Sequence, residues 1–426
     1  MKSIKYSIIE IYLFKLIVLL IIFPEVGLIR FPSDTQPYFF IFSILAIFIG
    51  YKRLKNFDFL LFPFLVILIF ATISFIITTF NTINLFPLFR SYFGYLSSFT
   101  ILLYLFIYKD LYNAKNLTPV FDFCIFIIYL GFLLNLVGLN WFVQLFVNRA
   151  EFRLDGIRGL VSFYSEQSNM VSVCFIMFFS YLHIGSLNKM RGFALFSAII
   201  LSASGQAILE LIFVVLFYLV SLFIIFFSNK KIAIKNIIYF IIPISITFIL
   251  FLLFKNLDLN FRAFKVFSNF TLDTGLYILG SDYSTTWKVQ GLFLAIATMI
   301  STPFNFQISS LTETNAFENL NLVHSKIYEF VFGVSNPKFG DRVYSAFGTW
   351  IVDFGLYGFV LYIIFLMYFF KRTIFNKKID AILITSVFYV LYSSLLKISL
   401  SFPTILLTIF STYNYIDIKY NYTKQC

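Results

Sequence analysis

The chain has 426 residues, of which 60% are apolar and only 12% charged, with 32 Lys plus Arg against 20 Asp plus Glu for a formal net charge of +12. Soluble domains carry roughly 25% charged residues, so this composition excludes one and specifies an all-α, polytopic integral membrane protein. The basic residues are spread over loops rather than gathered on one face, which argues against nucleic acid as a partner despite a pI near 9.3.

In chain order, apolar stretches near or above the length needed to cross the hydrocarbon run over 6–23, 57–80, 91–108, 121–139, 168–185, 207–228, 232–254, 346–370 and 379–397. Three shorter stretches join them. Tyr38 to Tyr51 is brief but wholly apolar, Gly192 to Ser204 ends in polar residues, and Leu400 to Ile416 begins around Pro403. Together they predict about 12 transmembrane helices. Charge supports this count. Alternate loops hold Lys2 and Lys5; Lys52, Arg53 and Lys55; Lys109 and Lys115; Lys189 and Arg191; Lys230, Lys231 and Lys235; Lys371, Arg372, Lys377 and Lys378; and Lys419 and Lys424. By the positive-inside rule these loops and both termini are cytoplasmic, and dropping one weak span would invert the later loops. The first stretch follows Lys2 and Lys5 and lacks a small-residue cleavage pattern before Pro24-Glu25, so it reads as an uncleaved helix. Cys124 and Cys174 fall inside spans and imply no disulfide framework. The expected organisation is nine spans over 1–254 with an external arginine-rich loop at 140–167, a large external loop over 255–345 carrying an interfacial helix, and three spans over 346–426.

Between the fifth and sixth stretches the chain reads Arg149-Ala-Glu-Phe-Arg153-Leu-Asp-Gly-Ile-Arg158-Gly, on a side whose other short loops hold little beyond Arg30, Arg90 and Lys397. Guanidinium forks match phosphate oxygens. The preceding Trp141-Phe-Val-Gln-Leu-Phe-Val147 is an apolar patch with an interfacial tryptophan, which puts the arginines at headgroup depth, where phosphates lie. Glu151 and Asp155 offer another reading, a structural network with the same arginines. Gly156 and Gly159 suit close backbone approach or a sharp turn, and Ser165-Glu166-Gln167-Ser168 reads as a polar helix entrance with Ser165 as N-cap.

Three further features follow. Ser202-Ala-Ser-Gly205-Gln206 is either a hairpin or a broken-helix site, with the acidic Glu210 just beyond it. The external segment from Lys255 to Tyr344 is longer than structureless loops normally run and contains the short apolar run Gly291 to Ile300, an interfacial or re-entrant helix. Its basic residues Lys255, Arg262, Lys265, Lys288, Lys326, Lys338 and Arg342 are matched by as many acidic ones, so it is no general polyanion surface. Last comes Asp341-Arg342-Val-Tyr344-Ser345-Ala-Phe-Gly348, leading to Asp353-Phe-Gly355-Leu-Tyr-Gly358, where Asp353 is either a buried hydrogen-bond anchor or part of a site.

Taken together, these segments resemble the bacterial O-antigen polymerase family, within the larger group that includes O-antigen ligases. Arg158-Gly159 followed by Ser165-Glu166-Gln167-Ser168 looks like the family's arginine, glycine and Glu-Pro-Ser pattern, with Gln167 in place of proline. Ser202-Ala-Ser-Gly205 is similar to the small hydroxylated stretch after the next helix. Gly280-Ser-Asp282-Tyr-Ser-Thr-Thr-Trp287-Lys288 resembles the large-loop segment that usually presents an arginine, here Lys288. Tyr344-Ser345 through Gly358 matches the spacing of the final motif, although ligases place His-Asn at 344–345 and Glu at 353, which favours a polymerase.

The resemblance implies transfer of a growing glycan from an undecaprenyl-pyrophosphate carrier onto a new lipid-linked repeat unit at the outer face of the inner membrane. It implies no metal or other cofactor, and a chain-length regulator protein as a possible partner. Cations around the departing pyrophosphate would come from Arg153, Arg158, Arg262, Lys288 and Arg342. Glu166, Asp282 and Tyr344 are the expected hydroxyl orienters or bases. A lipid-linked oligosaccharide flippase is the principal alternative, but it would bury its charges among helices and has no evident use for a ninety-residue external loop.

Overall fold

The computed structural model describes residues 6–27, 36–54, 57–80, 85–147, 162–164, 167–202, 205–229, 283–306, 325–326, 329, 345–373, 380–396, 403–415 and 417–418. Its elements are α1 (Ile8–Ile22), α2 (Tyr38–Gly50), α3 (Leu61–Thr79), α4 (Leu85–Ile107), α5 (Ala114–Leu136), α6 (Asn140–Gln144), α7 (Gln167–His183), α8 (Lys189–Leu201), α9 (Gly205–Asn229), α10 (Tyr283–Ser301), α11 (Ala346–Thr373), α12 (Ala381–Leu396) and α13 (Thr404–Tyr413). Among the described residues there is no strand, and the fold is that of a helical membrane protein. Every expected span coincides with a helix except 232–254, which lies outside the described residues.

Length separates these helices. Leu61–Thr79, Ala114–Leu136 and Gly348–Thr373 are long and apolar enough to cross a membrane by length and composition. By contrast the 13 residues of α2 rise only about 20 Å, short of a hydrocarbon core of about 30 Å. The 10-residue α13 is buried along its whole length. It sits at the centre of the bundle against α7, α12 and α4.

Local sequence sets the helix starts. Ser7 and Glu10 form a reciprocal capping box at α1, Asn113 caps α5 by accepting from the Asn116 N–H at 3.1 Å, and Asn188 caps α8 by accepting from Arg191 at 2.8 Å. Each of these polar residues satisfies an N–H that the first helical turn leaves without a partner.

Side-chain links between helix ends define two layers. On one side Tyr6 donates to Asp110 at 3.4 Å, Arg53 pairs with Glu10, Tyr413 donates to Asp58 at 2.8 Å, Arg372 pairs with Asp58 and Asp417, and Tyr415 donates to Asp380 at 2.7 Å. Arg191 forks onto both oxygens of Asp122 at 2.7 and 2.9 Å. The hydrogen bond with Glu10 raises the Arg53 pKa further above the ordinary arginine value. These are the ends that carry Lys52, Lys109, Lys189 and Lys371, so the loops grouped by charge in the sequence are also grouped in space. The opposite layer joins the turn after α1 to residues 146–147 and 162–169.

Candidate functional site

In the layer opposite the basic one, Pro24 follows the end of α1 and cannot continue it. The next residue, Glu25, is only 1% exposed, and a buried carboxylate requires strong partners. Asn169, in the first turn of α7, donates from Nδ2 to Glu25 Oε1 at 2.6 Å. Two residues on, the Gly27 N–H donates to the Phe146 carbonyl at 3.0 Å, and Val26 and Val147 form an isolated antiparallel bridge. From the far end of the arginine-bearing segment, the Tyr164 hydroxyl donates to the Ile22 carbonyl at 3.1 Å, and its ring stacks on Phe23 with centroids 5.3 Å apart.

The two ends also meet directly. Phe146 and Phe163 pack edge to face at 6.3 Å. Ser162 lies so close to α5 that a Cβ at Gly131 would stand 2.8 Å from its Cα, a proximity that only glycine permits. The chain therefore leaves at Val147 and returns at Ser162 in one place. This neck is closed on the turn that holds Glu25, the arrangement of loops whose ends converge.

A second unusual place is the interruption of α11 at Gly355 (φ 53°, ψ −131°). Backbone groups released from the helical ladder at membrane depth must find partners inside the protein. Residues 303–306 supply them. The Leu356 N–H donates to the Pro303 carbonyl at 2.7 Å, and Asn305 Nδ2 donates to the Val352 carbonyl at 2.6 Å. Phe306 then inserts among Phe70, Phe354 and Tyr357, at centroid distances of 5.3, 5.4 and 6.4 Å. Since Phe70 lies midway along α3, the turn after α10 reaches the middle of the bundle. Just before the interruption, Asp353 is buried and accepts from the Tyr95 hydroxyl at 2.6 Å. The neighbouring Trp350 indole N–H is buried without a hydrogen-bond partner, its ring edge-on to Phe64 and Tyr362.

Glu210, five residues past the start of α9 at Gly205, is fully buried and accepts from the Tyr389 hydroxyl at 3.2 Å. Ser202 is buried too, and its hydroxyl returns to the Ile199 carbonyl of its own helix at 2.6 Å. Residues 203–204 between them lie outside the described residues.

Of the expected site residues, Arg153, Arg158, Glu166, Arg262, Asp282, Arg342 and Tyr344 lie outside the described residues, and so does the side chain of Lys288, whose backbone belongs to α10. What the structure brings together is the framework around the first group: the stems at Val147 and Ser162, and α7 immediately after Glu166. Reading the sequence missed Glu25, Asn169, Tyr95 and Asn305. Glu25 alone had a signal, an acid in a short loop after the first span. Among the described residues no group of three His, Cys, Asp or Glu side chains could hold a metal ion. No family model, curated protein or solved structure matches the chain.

Proposed function

We propose that the chain is a membrane glycosyltransferase that polymerises undecaprenyl-pyrophosphate-linked oligosaccharide repeats into an O-antigen or related surface polysaccharide. In this reading it crosses the bacterial inner membrane about 12 times, with both termini in the cytoplasm. The observation that carries the reading is the segment bearing Arg149, Arg153 and Arg158. It breaks the charge rule that the other loops obey, and its two ends converge at a neck in the layer opposite the basic one. Guanidinium groups at headgroup depth suit a pyrophosphate that gains charge as the glycosidic bond to it breaks. An acceptor sugar hydroxyl attacks the anomeric carbon, the hydroxyl proton passes to a base, and the lipid pyrophosphate leaves with the bonding electrons. Glu166, Asp282 and Tyr344 are the proposed groups on the acceptor side, and Arg153, Arg158, Arg262, Lys288 and Arg342 on the pyrophosphate side.

The test is elongation of purified lipid-linked repeats by the purified protein in detergent, where transport contributes nothing. A ladder of products is expected from the wild type, and single-repeat glycans alone from Arg158→Ala. A normal ladder from that variant removes Arg158 from the phosphate site. Movement of lipid-linked repeats across vesicles without elongation replaces the polymerase reading with a flippase, and transfer onto a lipid A core replaces it with a ligase.

A further inference from the structure

Although α13 is buried along its whole length, it is not apolar all round. Thr404, Thr408, Ser411 and Thr412 fall within about 100° of one another around the helix axis, while Ile405, Leu406, Ile409 and Phe410 occupy the rest. Ser411 shows what that polar face meets. Its hydroxyl lies 3.0 Å from His183 Nδ1 at the end of α7, and one turn earlier on α7 the Ser180 hydroxyl accepts from Tyr112 at 3.2 Å.

The hydroxyls on this face behave unlike those of other helices. Thr100, Thr298, Thr373 and Thr385 each donate to the carbonyl four residues back, at 2.6 to 2.9 Å, which satisfies a hydroxyl in a dry bundle. Thr408 and Thr412 have such carbonyls within α13, at 404 and 408, and do not use them. Among the described residues, the Oγ1 atoms of Thr404, Thr408 and Thr412 and the Nε2 atom of His183 are buried without a hydrogen-bond partner. A buried polar atom left so is costly, and a bound water, which typically makes about three hydrogen bonds, removes the cost.

Spacing decides what fits. Equivalent atoms four residues apart on a helix are separated by about 6 Å, so the three threonines span about 12 Å, too far to close round a single ion. That 6 Å step is instead about two hydrogen bonds of roughly 2.8 Å in sequence, which one water supplies. At the lower end of the row, His183 Nε2 flanks the same ring carbon as the Nδ1 that faces Ser411. The imidazole is edge-on to Tyr415 at 5.0 Å, and the Tyr415 hydroxyl donates to the partly exposed Asp380 in the basic layer at 2.7 Å.

We infer that the seam between α7 and α13 binds a file of water molecules, which bridges Thr404, Thr408 and Thr412, reaches His183 Nε2 and is entered from the basic layer beside Tyr415 and Asp380. Such a file brings water and exchangeable protons into the bundle at membrane depth, from the side opposite the arginine-bearing segment.

The experiment is pulsed X-ray hydroxyl-radical labelling of the full-length protein in lipid nanodiscs, read residue by residue by mass spectrometry. Radicals form on bound water as well as in bulk, so His183 and Tyr112, each 2% exposed, should be oxidised although bulk water does not reach them, whereas Tyr104, 0% exposed and on α4 away from the seam, should not. Tyr112 is expected to label about fivefold faster than Tyr104 or more. Replacing Thr404, Thr408 and Thr412 together by valine keeps shape and removes the hydroxyls; labelling of His183 and Tyr112 should then fall to the Tyr104 level while Tyr104 itself is unchanged. If the triple variant does not fold, Thr408→Val carries the comparison, with Thr373→Val, whose hydroxyl already bonds to the Phe369 carbonyl, as the control that leaves labelling at the wild-type rate. His183 and Tyr112 labelling no faster than Tyr104 in the wild type, or labelling unchanged by the valines, would overturn the inference. So would a higher unfolding temperature in the valine variant, the mark of a dry seam relieved of unpaired hydroxyls.

Discussion

The Leu356 N–H donates to the Pro303 carbonyl at 2.7 Å, so a turn from the large loop supplies a bond that α11 gives up at Gly355. Two features make glycine obligatory there. A side chain at φ 53°, ψ −131° is strained, at roughly 1–3 kcal/mol. A Cβ would also run into the Pro303 carbonyl itself. Gly355→Ala is therefore expected to lower stability by about 3 kcal/mol or more, read as a reduced unfolding temperature in detergent. Gly192→Ala is the control: its Cβ would meet nothing within 4 Å, and alanine in a helix gains up to about 1 kcal/mol over glycine. Equal melting of the two variants would refute the strained clamp.

Asn305 holds the other half of that clamp, with its amide on the Val352 carbonyl at 2.6 Å. Asn305→Ala leaves a carbonyl near the middle of the bundle without this donor, at a cost of about 1–3 kcal/mol. Asn305→Asp is expected to cost more, because an ionised carboxylate has no proton to donate and faces an acceptor. Protonation turns the acid into a donor, so the Asp variant should regain stability as pH falls while the Ala variant does not. Thermal unfolding of both across a pH series decides this, and parallel curves would rule out the donor role.

How far the sequence discloses this molecule depends on the range of the interaction. Helix positions follow from apolar runs, and the grouping of helix ends follows from where Lys and Arg fall, because both are set by each residue's own transfer between lipid and water. The run from Gly291 to Ile300 marks a helix, but nothing local shows that Asn305 will meet Val352 or that Phe306 will enter the ring cluster around Phe70. Asp353 stands out as an acid in an apolar stretch, whereas its partner Tyr95 is one of 27 tyrosines and is picked out only by packing. Glu25 and Asn169 are 144 residues apart, so their pairing belongs to the tertiary fold. The residues around Arg158 and Glu166 stand out in the sequence by type and spacing, whereas the convergence of Phe146 and Phe163 beside the turn after α1 belongs to the tertiary fold.

The Glu10–Arg53 pair tests the basic layer. Both side chains are largely buried, at 5% and 20% exposed, and Glu10 also accepts from Ser7 within its capping box. Removing one member of a buried pair leaves an uncompensated charge, usually at 3–5 kcal/mol, whereas removing both avoids that penalty. Arg53→Ala should thus destabilise more than the double variant Glu10→Gln with Arg53→Ala. Stabilities of the four proteins in a double-mutant cycle supply the coupling, and strict additivity would mean that the two charges do not interact.

Layering also makes a prediction about sidedness. Lys52 and Lys109 are exposed near helix ends linked by the Tyr6, Asp110, Glu10 and Arg53 contacts, and Met190, 82% exposed, adjoins the Arg191–Asp122 pair. Leu145, 48% exposed, stands beside the neck in the other layer. Single cysteines at these four positions, in a background without native cysteines, can be challenged with a membrane-impermeant maleimide in right-side-out and in inverted vesicles. Positions 52, 109 and 190 should react in inverted vesicles only, since the loops richest in Lys and Arg stay on the cytoplasmic side. Position 145 should react in right-side-out vesicles only. Division of the first three between the two preparations would break the layering. Reversal of all four would keep the layers and place the arginine-bearing segment in the cytoplasm, which no external polymerase could use.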